Sequence, residues 1–144
     1  MKRAVKPEMM TRVAATQATV DRFKARPFRY GSNDCARMVA FHLKRLGLKV
    51  SLAKAGSYRS ALGATRALRR LGHDSLADAL DTLGLTRIPP AAAMVGDIVE
   101  LPGEAPFGAL TVAVGNGRVL GFHQDLAGAD ILQPREYLAA WRVI

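Results

Sequence analysis

Apolar residues recur at helical spacing through the first two thirds of the chain and at strand spacing in the last third. Residues 8–25 predict a first helix, with Met9, Val13, Val20 and Phe23 on its apolar stripe and Arg12, Asp21 and Lys24 outside it. Pro27 is expected to end that helix. A turn over 28–34 follows, and Asn33 or Asp34 is the expected N-cap of a second helix over about 35–46. Cys35, Met38, Val39, His42, Leu43 and Leu46 share one face of it, and Gly47 supplies the stop. Residues 60–71 predict a third helix with Ala61, Ala64, Leu68 and Leu71 on its apolar side. Asp74 is the expected cap of a short fourth helix reaching Leu83, and a helical turn is placed at 91–93, after Pro89 and Pro90.

After Gly96 the pattern changes. Residues 97–101, 110–114, 118–122, 130–133 and 141–144 read as short strands, and Gly115-Asn116-Gly117 is a hairpin signal. Helices first and an antiparallel sheet second predict an α+β domain, with the helices on one face of the sheet. We read residues 1–144 as one domain: a basic tail over 1–11, a mainly helical half over 12–95 and a sheet half over 96–144.

Composition narrows the partners. The chain carries 21 Lys and Arg against 12 Asp and Glu, a net charge of +9. Such a surface suits nucleic acid, anionic cell-wall polymers or an acidic protein. Arg66, Arg69 and Arg70 lie together on the polar side of the third helix, and they are the candidate partner-binding residues. Nucleic acid is the disfavoured partner, because no aromatic residues interleave with the basic ones as a stacking platform requires. An apolar content of 49% argues against wholesale disorder. No run approaches the ~20 apolar residues of a membrane span. The opening Met-Lys-Arg-Ala-Val-Lys is followed by Pro7-Glu8 and Thr11-Arg12 instead of an apolar region, so no signal peptide is expected. A single Cys and three His without ligand spacing give no expectation of a disulfide, a metal or a cofactor.

Cys35 carries the candidate chemistry. A helix N-terminus favours the thiolate, which makes this residue a candidate nucleophile. Its base has to come within about 3 Å. His42 lies seven residues on, roughly 10 Å along the same helix axis, which is too far; it reads as a core-edge histidine. His73 sits in a Gly-His-Asp junction and reads as a loop residue. His123, closing the second hairpin strand, is the candidate base, with Asp34 as an electrostatic or capping group.

The run Phe28-Arg29-Tyr30-Gly31-Ser32-Asn33-Asp34-Cys35 resembles the nucleophile motif of NlpC-type papain-like cysteine peptidases, which cleave cell-wall peptides. Residues 96–101 resemble their first strand after the helical half, and residues 110–117 their histidine-bearing strand and hairpin. A nearer resemblance is to a family of phage and prophage proteins encoded among tail-tip assembly genes. It is carried by Tyr58-Arg59-Ser60, residues 66–72, Arg87-Ile88-Pro89-Pro90 and Ala140-Trp141-Arg142-Val143. The resemblance implies a papain-like core with a degenerate site. Cys35 matches the nucleophile and Asp34 the acidic residue before it. Phe28 stands where the peptidases carry an oxyanion-holding tyrosine, Ala109 where they carry the histidine, and Gly121 where they carry the third polar residue.

Two readings follow. In the first, the chain is a docking component of a phage-like tail tip, bound to other tail-tip or hub proteins, made in the host cytoplasm and carried in the virion. In the second, it is a cysteine peptidase or amidase acting on cell-wall peptide, with Cys35 as nucleophile and His123 as displaced base. The second depends on hairpin register. A three-residue loop pairs Ala109 with His123 on one face, whereas a two-residue loop sends His123 to the other.

Overall fold

The computed structural model describes residues 8–50, 56–103, 109–122 and 128–144. In chain order the described elements are α1 (Glu8–Phe23), α2 (Cys35–Arg45), α3 (Ala61–Arg70), α4 (Leu76–Thr82), β1 (Thr86–Ile88), a 3-10 turn (Pro90–Ala92), β2 (Ile98–Leu101), β3 (Ala109–Gly115), β4 (Arg118–Gly121), β5 (Asp130–Leu132) and β6 (Ala139–Arg142). The strands form one antiparallel sheet in the order β1-β6-β2-β3-β4-β5. The fold class is α+β, as the hydrophobic pattern predicts.

Local chemistry sets the helix starts. Asp34 caps α2 by accepting the Arg37 N–H, Ser60 caps α3 by accepting the Gly63 N–H, and Ser75 caps α4 by accepting the Asp78 N–H. The cap of α4 is therefore Ser75, one residue after the expected Asp74. α1 ends at Phe23, before Pro27 is reached: Lys24 bridges to Ala129, and Ala25 has a φ of 67°. α1 begins at Glu8, where the hydrophobic pattern starts the first helix, so residues 8–11 of the basic tail are helical; residues 1–7 lie outside the described set. Strand β1 falls inside the half expected to be helical. Three residues beside two prolines carry too little alternation to announce a strand, and β1 is held by pairing with β6 through Arg87 and Trp141.

α1 buries only the second half of its expected stripe, Val20 and Phe23. Met9 and Val13 are about half exposed, while Arg12, Ala15, Thr16, Thr19 and Phe23 form the buried face. Arg12 donates through Nη1 to Asp97 Oδ1 at 2.7 Å and to the Val95 carbonyl, and through Nη2 to the Ile144 carbonyl. Asp97 also accepts the Met94 and Val143 N–H groups. Both charges are buried, so the pair fastens α1 to the start of β2 and to the end of the chain.

The sheet buries residues on both faces. On the helix side, Ile98, Leu110, Val112, Leu120 and Trp141 join Cys35, Met38, Val39 and Leu43 of α2 in the main core. On the far side, Val99, Ala113, Val119 and Ala140 pack with Ile88, Ala93, Leu101 and Tyr137. Trp141 is fully buried, and its indole N–H donates to Asp81 of α4 at 2.9 Å. Arg87 of β1 grips the same carboxylate with two nitrogens, at 2.9 and 2.8 Å, and lies over the indole ring. These bonds, Arg87 first and Trp141 second, hold the Asp81 carboxyl down to about 2.

His42 is a fully buried core residue. Its Nε2 donates to the Gly96 carbonyl at 2.8 Å, and its Nδ1 lies 2.9 Å from the Thr19 hydroxyl. The same hydroxyl lies 2.9 Å from the Ala15 carbonyl, so with the ring neutral its single proton is shared between Nδ1 and that oxygen. Burial lowers the pKa from its ordinary 6.5. Unfolded chains then take up a proton at His42 that folded chains refuse, so stability held above pH 6.5 is lost as pH falls. Thermal denaturation from pH 7.5 to pH 5 will show a declining melting temperature. A His42→Gln variant will show a shallower decline, and an equally steep one would refute the assignment to His42.

Candidate functional site

The turn before α2 is organised by Asp34. The carboxylate is fully buried and accepts three hydrogen bonds, from the Gly31 N–H, the Arg37 N–H and the Tyr58 hydroxyl, each at 2.8 Å. Burial, followed by the Asp34 charge, raises the Tyr58 pKa and keeps the phenol protonated as a donor. Gly31 has a φ of 86°, and a Cβ there would collide with the Tyr58 carbonyl oxygen. Asp34 therefore acts as an N-cap and a tie between two loops. Both of its oxygens are engaged by protein donors.

Cys35 begins α2 at the position predicted, but its surroundings are apolar. It is 7% exposed and belongs to the main core cluster. Burial pushes the thiol from an ordinary 9.0 up to about 12; a main-chain hydrogen bond from Leu110 acts in the opposite direction, and the Asp34 charge adds to the rise. The helix dipole is outweighed, because desolvating a thiolate costs more than one helix end returns. At neutral pH this group is a thiol.

The contact with Leu110 places Cys35 against the start of β3, beside Ala109. Facing is decided by register. Leu101 pairs with Ala109, and Leu101 packs on the far side of the sheet. Alternation along β3 puts Ala109, Thr111 and Ala113 on that far side, while Leu110 and Val112 meet α2. Gly121 also shares the Thr111 face, since a Cβ on Gly121 would sit 2.7 Å from Thr111 Cγ2. The positions matched to the peptidase histidine and to its orienting residue are thus both turned away from Cys35. Phe28, matched to the tyrosine, is 44% exposed and meets Tyr30 and Phe122 edge-on. It has no donor to offer an oxyanion.

The hairpin combines the two register alternatives. Asn116 and Gly117, with φ of 55° and 75°, make a two-residue turn closed by Gly115 and Arg118. The register then shifts between Gly115 and Ala113, so that Val112 pairs with Leu120 and Ala113 with Val119. This is the register that a three-residue loop would give. His123 lies outside the described residues. Among the described residues, no side chain that could take a proton is paired with the Cys35 thiol, and no three of His, Cys, Asp and Glu gather as metal ligands.

Gly121 cannot regain a polar side chain without disturbance, because Thr111 is itself buried and donates to the Val99 carbonyl at 2.8 Å. Gly121→Ser will cost about 1–3 kcal/mol through overpacking. Urea unfolding would refute this reading if the midpoint were unchanged.

Residues 9–143 match the model of a domain of unknown function, DUF6950. The chain belongs to the DUF6950 family. Its match covers every element described above except the first residue of α1, Glu8, and includes Cys35, the hairpin and Trp141. The sequence matches no curated protein.

The candidate basic face of this DUF6950 member is present. Arg66, Arg69 and Arg70 are exposed on α3, opposite the buried Ala64, Ala67 and Leu68. Sequence spacing did not bring out a second basic group. Arg29, Arg37 and Arg59 line a polar cleft of about 600 Å³ beside the turn before α2. They come from a turn, a helix and a loop, so no periodicity connects them. No helix among the described residues is long and apolar enough to cross a membrane.

Proposed function

We propose that this chain is a non-catalytic docking component of a phage-like tail tip, built on a degenerate papain-like framework. The observation that supports it best is the state of Cys35, a core thiol raised to about 12. The far-side facing of Ala109 and Gly121 and the donorless Phe28 point the same way. A thiol without a base and without an oxyanion donor lacks several kcal/mol of transition-state stabilisation. The tail-tip assignment rests on the sequence resemblance, and the basic surface suits an acidic assembly partner.

The test uses cell-wall peptides incubated with the full chain and analysed by mass spectrometry. Product will not rise above the level given by Cys35→Ala. Hydrolysis that disappears in Cys35→Ala would overturn the proposal and restore the peptidase reading. Coexpression with proteins of a tail tip will yield a complex of fixed stoichiometry on size exclusion.

A further inference from the structure

We infer that the cleft lined by Arg29, Arg37 and Arg59 is the seat of an acidic peptide segment presented by a partner protein. The inference rests on the docking reading and adds to it the place of contact and its chemistry.

The cleft lies between the turn before α2 and the strip of chain ending in Arg59, and Gly31, Ser32, Gly56 and Ser57 leave its floor open. Its three guanidinium groups have no carboxylate partner among the described residues. Arg37 is only partly satisfied. One terminal nitrogen reaches the Gly56 carbonyl at 3.4 Å, its plane lies over the Tyr58 ring, and its Nε is buried without a hydrogen-bond partner. Among the described residues no carboxylate lines the cleft; Asp34, behind Gly31, Arg37 and Tyr58, is fully buried and already accepts three protein donors. Among the described residues, then, the cleft holds cations without local neutralisation. Guanidinium groups are the side chains best shaped for paired contacts with carboxylates.

The details favour several carboxylates over one phosphate. Phosphate cradles are built from converging backbone N–H groups. Here the nearby amides are spent: Gly31 N–H on Asp34, and Ser32 and Asn33 N–H on the Arg29 carbonyl. What remains is a set of separate forks across a wide cleft, which suits a chain with spaced Asp and Glu side chains. Base stacking is also poorly served, because Tyr58 is covered by Arg37 and Tyr30 is engaged edge-on by Phe28. The basic side of α3 continues the surface: Arg70 reaches to 4.0 Å of the Cβ position of Gly56.

The experiment is fluorescence anisotropy with a labelled peptide of alternating Glu and Gly, using the full chain at fixed ionic strength. A peptide with Gln at each Glu position and a single-stranded oligonucleotide of equal charge serve as comparisons. The Glu peptide will bind and the Gln peptide will not. Arg29→Glu combined with Arg59→Glu will weaken binding about tenfold or more, while a charge-matched pair, Arg118→Glu with Arg135→Glu, will change it less than about twofold. Equal losses in the two pairs would reduce the effect to net charge and overturn the inference. So would tighter binding of the oligonucleotide that is lost with Arg29 and Arg59. Mass spectrometry of the same samples separates the two proposals. An intact peptide whose binding ignores Arg29 and Arg59 removes the cleft and spares the docking reading; a peptide cut in a Cys35-dependent way removes the docking reading and spares the cleft.

Discussion

Arg12→Ala will lower the unfolding free energy by about 3–5 kcal/mol, because it leaves Asp97 as a buried charge without its counter-ion. Arg12 is 1% exposed and Asp97 fully buried. The guanidinium also satisfies two carbonyls, from Val95 and Ile144, which the alanine would leave without a donor. A double-mutant cycle with Asp97→Asn separates the ion pair from those bonds. Arg12→Ala and Asp97→Asn together will be less destabilising than the sum of the single effects, since each removes the other's burden. Equilibrium urea unfolding of the four proteins measures this. A loss below about 1 kcal/mol in Arg12→Ala would mean that water reaches the carboxylate once the arginine is gone.

Iodoacetamide will alkylate Cys35 about a thousandfold more slowly than an unhindered thiol at the same pH. The thiolate is the reactive form, and moving the group from 9.0 to about 12 cuts the thiolate fraction by that factor at pH 8. Mass spectrometry of the native chain at pH 8 tests this, with the same chain in urea as the free-thiol reference. Labelling at the reference rate would refute the buried-thiol description. A linked effect appears in stability. The folded pKa is raised, so the contribution is fully present below 9.0 and is lost as pH rises from 9.0 towards about 12. The slope from this group approaches about 1.4 kcal/mol per pH unit. Cys35→Ser will remove that slope and leave the fall that Tyr58 adds in the same direction above 10.

Hydrophobic period made most of the fold legible. α2 matches its expected apolar face because Met38 and Leu43 repeat at helical spacing, and α3 keeps Ala64 and Leu68 of its own, with Ala61 exposed and Ala67 buried instead. The Gly115-Asn116-Gly117 signal located the hairpin. α1 misled for a physical reason: its buried face includes Arg12 and Thr19, which meet Asp97 and His42 more than twenty residues away, and Thr16, which turns its hydroxyl back on the Arg12 carbonyl. The same holds for the site. The N-terminal position of Cys35 on α2 could be read locally. Its desolvation could not, since the thiol's cover comes from β3. The Asp34–Tyr58 bond and the Arg29, Arg37 and Arg59 cleft join segments whose approach no spacing encodes. The absence of donors at Phe28, Ala109 and Gly121 was legible as residue types, whereas the facing of Ala109 and Gly121 needed the register.

The irregularity in β3 next to the hairpin governs more than one turn. A sheet wet on one side detects a slipped strand at once, because oil meets water. The central strands of this sheet are buried on both sides, with Leu120 facing one core and Val119 the other. A slip by one residue would trade a leucine for a valine and expose little, so polarity alone discriminates weakly against it. The extra residue at Val114 gives the ladder a fixed index mark that a slipped strand cannot match. In this chain hairpin length is tied to the ladder: a register moved by one residue would hand each core the side chains cut for the other.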